Sequence, residues 1–159
     1  MDGFLRHSAL PYQINHTTDD GVSTAIWTPP VPQEASDAHA EGLALAFQNC
    51  FGERLERFQQ GFGLMQTKRP HKPHWYLSAL ATHPDWHGQG LGSTVLRPIL
   101  QRCDSEGVPA YLESTKEKNV AFYRRHRFDL TSTLDLPDGG PTLYLMWREP
   151  QRTEREPVG

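Results

Sequence analysis

Two kinds of apolar spacing alternate along the 159-residue chain. Short β-branched and aromatic runs fall at Leu10 to Thr17, Val22 to Thr28, Trp75 to Thr82, Val108 to Ser114, Asp129 to Leu136 and Thr142 to Arg148, and each predicts a strand. Between them, apolar residues return every three or four positions, the spacing of one helix face. Leu43, Ala46, Phe47 and Cys50 make such a stripe in a helix predicted from Gln33 onward. Leu55, Phe58, Phe62 and Met65 make another over Arg54 to Lys68, where Gly61 and Gly63 each cost about 1 kcal/mol and predict a bend or a frayed end. A third helix, Leu91 to Ser105, has Val95, Ile99, Arg102 and Cys103 on its inner side and Gly107 as its stop. Pro98 within it predicts a kink, because proline lacks the N–H a helix uses. Asn119 to Arg125 predicts a short fourth helix.

Turn chemistry punctuates these elements. Thr18-Asp19-Asp20-Gly21 predicts a hairpin, Pro29 to Pro32 ends the second strand, and Pro137-Asp138-Gly139-Gly140-Pro141 predicts the last reversal. Residues 1–9 read as a flexible start and 149–159 as a disordered tail, leaving one domain over 10–148. A net charge of −3 argues against a nucleic-acid partner. No stretch approaches the ~18 apolar residues of a membrane span, and the start lacks a signal-peptide core. Cys50 and Cys103 are too few for a disulfide framework and read as buried thiols of a cytoplasmic protein.

The chemistry concentrates between Leu77 and Val95. An apolar strand gives way to glycines at 88, 90 and 92, and a helical pattern begins at once. Backbone N–H groups at such a helix start point outward, and the helix dipole adds roughly half a positive charge, so the turn predicts a phosphate seat. The spacing fits neither G-x-G-x-x-G nor a P-loop, which needs a lysine.

His87-Gly88-Gln89-Gly90-Leu91-Gly92 instead resembles the acetyl-CoA motif Arg/Gln-x-x-Gly-x-Gly/Ala of the GNAT N-acetyltransferases. Downstream, Ala110 to Ser114 followed by Asn119, Phe122 and Tyr123 is similar to the family's second hallmark, a strand and then Asn and Tyr on a short helix. Within the family the phrases Ala25 to Pro29, Pro84 to Ser93, Gly107 to Glu113 and Phe122 to Phe128 resemble the puromycin N-acetyltransferase-like branch. The resemblance implies an α/β (α+β) fold: a mixed, mostly antiparallel sheet, splayed beside the phosphate turn and flanked by helices. It also implies acetyl-CoA as co-substrate and direct acetyl transfer to a primary amine of a small molecule. The alternatives are a protein or peptide N-acetyltransferase and a non-catalytic CoA-binding regulator. No nucleic-acid or membrane partner is expected, and a homodimer is compatible with the chain.

Carried over residue by residue, the resemblance assigns Leu80, Ala81 and Thr82 to the pantetheine arm, and His87, Gly88, Gln89, Gly90, Leu91, Gly92 and Ser93 to the pyrophosphate. Asn119, Phe122 and Tyr123 complete the cofactor side. Tyr123 is the candidate partner of the leaving thiolate, against the alternative of a core tyrosine. Glu113 is the candidate general base, directly or through a water, against a surface ion pair with Lys116 or Lys118.

Lesser candidates have plainer readings beside them. His83 reads as a base or a solvated loop histidine. His71 and His74 have a spacing seen in metal ligands but no acid or cysteine to complete a set. Trp27, Trp75 and Tyr76 read as acceptor wall or core, and Arg124 and Arg125 as 3′-phosphate contacts or a wet helix face.

Three features depart from the family pattern. His87 replaces Arg or Gln, Arg127 stands where glycine is usual, and only roughly twenty residues precede Val22, so most of the family's N-terminal strand and helices, which help wall the acceptor pocket, are missing.

Overall fold

The computed structural model describes residues 14–31 and 55–151. Residues 1–13, the predicted helix carrying Leu43, Ala46, Phe47 and Cys50, and the chain beyond Gln151 lie outside the described residues. The Thr18–Gly21 turn folds β1 (Ile14–Thr17) back on β2 (Ser23–Thr28), with the Gly21 amide bonded to the Thr18 carbonyl. β2 ends at the prolines, as their missing N–H groups require. Then come α1 (Leu55–Lys68), β3 (Trp75–Thr82), α2 (Leu91–Glu106), β4 (Ala110–Ser114), α3 (Val120–Arg125), β5 (Asp129–Asp135) and β6 (Thr142–Arg148).

The strands form one sheet in the order β1-β2-β3-β4-β6-β5, antiparallel throughout except where β3 meets β4. A parallel pair needs a long crossover, and α2 supplies it. Strand alternation divides the core in two. Trp75, Leu77, Ala110, Leu112 and Met146 face Val95, Leu96, Ile99 and Cys103 of α2, with Ala25 and Trp27 beside them. Tyr111, Leu143 and Leu145 face the other way, against Tyr76, Trp147 and Met65 of α1. Each large side chain so buried contributes about 1.5–3 kcal/mol.

Several expectations change. α1 runs unbroken through Gly61 and Gly63. Gly61 is buried against Leu136, so its missing side chain lets the helix approach the end of β5 rather than fray. Arg102 is not an inner residue. Its side chain is half exposed, bonds Glu106 at 2.6 Å, and lays its guanidinium 5.0 Å above the Trp75 ring. Leu96 and Leu100 fill the inner positions instead, because a charged head stays wet while its stem covers apolar surface. α2 continues through Pro98, which lies on the exposed side.

The final strand is clasped to α2 by a buried ion pair. Arg148 Nη1 and Nη2 donate to the two Asp104 oxygens at 2.8 and 2.9 Å, and its Nε donates to the His126 carbonyl. The Gln151 amide donates to the same carboxylate at 2.7 Å, tying down the beginning of the predicted tail. Burial alone would raise the Asp104 pKa, but the Arg148 and Gln151 hydrogen bonds hold it below its usual 3.8.

Candidate active site

Beyond Thr82 the chain makes one 3₁₀ turn, Pro84–Trp86, and enters α2 through Gly88 and Gly90, each at φ 78°. A side chain at that φ is strained, so glycine is the residue the turn needs. The amides of Gly88, Gln89, Gly90, Leu91, Gly92 and Ser93 have no backbone acceptor among the described residues; the first amide satisfied is Thr94, on the Gly90 carbonyl. Six amide donors without a backbone acceptor, at the positive end of a four-turn helix, could hold an anion. A Cβ at Gly92 would lie 3.4 Å from the Phe122 ring, in contact with it.

His87 is exposed, and its Nε2 bonds the Thr82 carbonyl at 2.8 Å, so its ring ties the turn to the end of β3. Ser93, in the first turn of α2, meets His126 Nε2 at 2.9 Å. Sequence reasoning assigned His126 no role, since only the turn after α3 brings it beneath the glycines.

β3 and β4 pair only at Trp75–Ala110 and Tyr76–Tyr111, and then diverge. The wedge between them is a cleft of about 330 Å³, lined by Leu77 to Leu80 on one side and Leu112 to Lys116 on the other. On the β2 side, β3 carries a bulge: Leu77 pairs with Trp27 and Ala79 with Ile26, leaving Ser78 as the extra residue. A bulge re-aims the backbone groups around it. Of the three residues expected along the pantetheine arm, Leu80 lines the cleft. The Ala81 carbonyl accepts from Ser23 Oγ and the Thr82 carbonyl faces His87, so these two carbonyls are already engaged. The part of β3 that faces the cleft therefore lies earlier, at Leu77 to Leu80, whose other side pairs with β2. Ser78 was missed because nothing in the strand's residue types signals a bulge.

Asn119 and Tyr123 both line the cleft, one helical turn apart as their spacing predicts. Tyr123 is buried, with its ring edge-on to Phe122 and Phe128, and its hydroxyl makes no hydrogen bond among the described residues. Burial pushes its pKa up to about 12. The core and cleft readings of Tyr123 therefore merge: the ring belongs to the core while the residue lines the cleft. Arg127 adopts φ 67°, the conformation that favours the family's glycine.

Glu113 lies on the opposite face of β4. Its side chain is 3% exposed; Oε2 accepts from the Tyr76 hydroxyl at 2.7 Å, and Oε1 is 3.6 Å from Arg69 Nη2. The expected alternative, a surface pair with Lys116 or Lys118, is replaced by this buried one, because β4 turns Glu113 toward α1 and the loop after it. Arg69 also stacks 4.2 Å above the Tyr76 ring. Glu113 Oε1, Arg69 Nε and the Tyr111 hydroxyl are buried without a hydrogen-bond partner among the described residues. No sequence pattern marked Arg69, which reaches Glu113 across 44 residues. Arg69, in the loop after α1, thus covers the Glu113 face together with Tyr76.

The remaining candidates take plainer places. His83 is mostly exposed and accepts from the Asp85 amide. His74 packs edge-on against Tyr111 and Trp147, with Nδ1 2.6 Å from the Lys72 carbonyl. Trp27 and Trp75 are core residues. Arg125 lies over the Phe122 ring, and Arg124 is exposed.

Comparison with known proteins agrees with this geometry. An 81-residue stretch is 26% identical to a probable serine/threonine-protein kinase of Dictyostelium discoideum, covering 50% of this chain and 11% of that protein. A 79-residue stretch is 32% identical to an uncharacterized N-acetyltransferase of Schizosaccharomyces pombe, covering 48% of this chain and 32% of that one. The chain therefore spans a third or less of these curated relatives. The fold matches a crystal structure described as histone acetyltransferase HPA2 and related acetyltransferase from Corynebacterium glutamicum, with TM-score 0.65 and 22% identity over 97% of this chain and 74% of that one. It also matches the ribosomal-protein-S18-alanine N-acetyltransferase of Escherichia coli, with TM-score 0.55 and 16% identity over 98% and 80%. The family model described as "Acetyltransferase (GNAT) family" matches residues 23–128, and the chain belongs to that family.

Proposed function

We propose that this chain binds acetyl-CoA in the β3–β4 wedge and moves its acetyl group to a primary amine of a small molecule. The observation that carries this reading is one line of features. The amides of Gly88 to Ser93, without a backbone acceptor among the described residues, lie at one end, the cleft-facing part of β3 runs between, and Tyr123 lies at the cleft. Acetyl-CoA supplies the acyl group as an activated thioester. Backbone N–H groups beside the Ser78 bulge would polarise its carbonyl, a contribution of about 3 kcal/mol when the donor is well aimed. Tyr123 would donate a hydrogen bond to the departing sulfur. With the phenol near 12 and a thiol near 8.5, full proton transfer would cost about 5 kcal/mol, so the hydrogen bond rather than the transfer is its role.

Glu113 approaches from the other face of the sheet. Its Oε1, 3.6 Å from Arg69 Nη2 and accepting no hydrogen bond among the described residues, would take the amine proton, directly or through one water, while the Tyr76 hydroxyl holds Oε2. Base and thiolate partner would then act in turn, Glu113 taking the proton of the amine as it adds to the acyl carbon and Tyr123 hydrogen-bonding the thiolate as the tetrahedral intermediate expels it. Among the described residues Arg69 and Tyr76 enclose Glu113 rather than leaving it in an open acidic groove, which supports a small acceptor over a peptide.

Thiol release from acetyl-CoA, measured against a panel of amines, antibiotics and peptides, tests the activity. In Tyr123→Phe, kcat is expected to fall about 10- to 100-fold with acetyl-CoA affinity unchanged, the loss of one hydrogen bond to a developing charge. A protein that only binds CoA would release no thiol with any acceptor and would keep its affinity in this variant.

A further inference from the structure

We propose that His126 is part of the cofactor seat: it holds the Ser93 hydroxyl as a donor to the diphosphate, and binding of the diphosphate brings a proton onto its ring. This rests on the acetyl-CoA reading above and adds a residue and a pH dependence to it.

The geometry begins with Ser93, in the first turn of α2 among the unpaired amides. Its Oγ is 2.9 Å from His126 Nε2. Two hydrogen placements satisfy that distance, and they have opposite consequences for an anion. If the serine donates to the ring, its lone pairs face the seat and repel a phosphate oxygen. If Nε2–H donates to the serine, the hydroxyl hydrogen is free to join the backbone donors. An anion in the seat therefore selects the ring forms with hydrogen on Nε2, one of which is the imidazolium.

His126 is well fixed for this task. Arg148 Nε donates to its carbonyl at 2.9 Å, and its ring meets Phe122 edge-on with centroids 5.0 Å apart. Phe122 in turn lies in contact with Gly92, its ring 3.4 Å from where a Cβ there would stand, so serine, histidine and aromatic ring close around the start of α2. The charged groups facing His126 are Arg125 on its own helix, Arg97 on α2 and Arg148 on β6, the last paired with Asp104. Burial first, and then these three cations, hold the His126 pKa below its usual 6.5 in the empty protein. A diphosphate supplies the missing negative charge and raises it. Proton uptake is expected between the two values, and affinity falls as pH rises through the value of the complex.

The probe is 3′-dephospho-CoA, titrated calorimetrically into the full chain. Its diphosphate does not change protonation between pH 5.5 and 7.5, so protons counted there belong to the protein. At pH 6.0 the observed heat is expected to differ between two non-phosphate buffers of unlike ionisation enthalpy, and at pH 7.5 to agree. His83 and His87 border the same turn, so His126→Gln decides the source. Glutamine keeps an N–H for Ser93 but cannot titrate; uptake should vanish, with affinity at pH 7.5 within about threefold. Ser93→Ala and His126→Leu should each weaken binding about tenfold, and the double variant no further. Pantetheine, which lacks the diphosphate, should be indifferent to every variant. Unchanged proton uptake in His126→Gln, or wild-type affinity in His126→Leu, overturns the role of His126 and leaves the acetyl-CoA reading standing. A folded wild-type chain that binds neither dephospho-CoA nor acetyl-CoA overturns both.

Discussion

Glu113 and Tyr123 are each held by packing that sequence spacing only half reveals. Tyr123 shares a helix face with Asn119, and four-residue spacing was enough to place them together. The surroundings of Glu113 depend on partners far along the chain, Arg69 and Tyr76, which no local pattern could supply. The geometry gives Glu113→Gln a clear expectation. The amide keeps the shape and can still meet Tyr76, but it cannot take a proton. Steady-state assays should show kcat about 100-fold lower with acetyl-CoA affinity retained. In the wild type the rate should climb with pH as the acceptor ammonium is neutralised. Should kcat survive while the urea midpoint drops, Glu113 is a structural anchor for Arg69 rather than a base.

The elements were largely legible because their signals are local. Five of the six described strands begin and end within two residues of their sequence boundaries, and the glycine turn falls where its pattern placed it. What the pattern missed follows from packing. Arg102 has the right spacing for the inner face of α2 but the wrong charge to stay there, and Gly61 reads as a helix breaker until Leu136 explains it. The bulge at Ser78 is a register property of two strands and has no counterpart in one. At the turn, Gly90→Glu should abolish acetyl-CoA binding. The substitution forces a side chain onto φ 78°, costing about 1 kcal/mol, and sets a negative charge among the donors meant for an anion. Near-normal affinity by calorimetry would refute the seat.

Across the whole molecule, the Asp104–Arg148 pair ties α2, β6 and the turn after α3 into one body. A depressed carboxylate stabilises the fold above its unfolded pKa, and that contribution disappears as pH falls through the lower, folded value. Asp104→Asn should therefore cost about 1–3 kcal/mol at pH 7 by urea denaturation, with the gap from wild type closing below pH 3.8. At the opposite extreme stands the two-rung contact between β3 and β4. Past those rungs the sheet is a seam whose inner edges have no strand between them, and whatever fills the wedge completes the sheet. Among Leu77 to Leu80, the amide hydrogens on the side facing β4 should exchange quickly with solvent in the empty protein and slow once acetyl-CoA is bound, while those on the β2 side stay protected throughout. The co-substrate would then serve as a temporary seventh strand, and each release of product would reopen the seam.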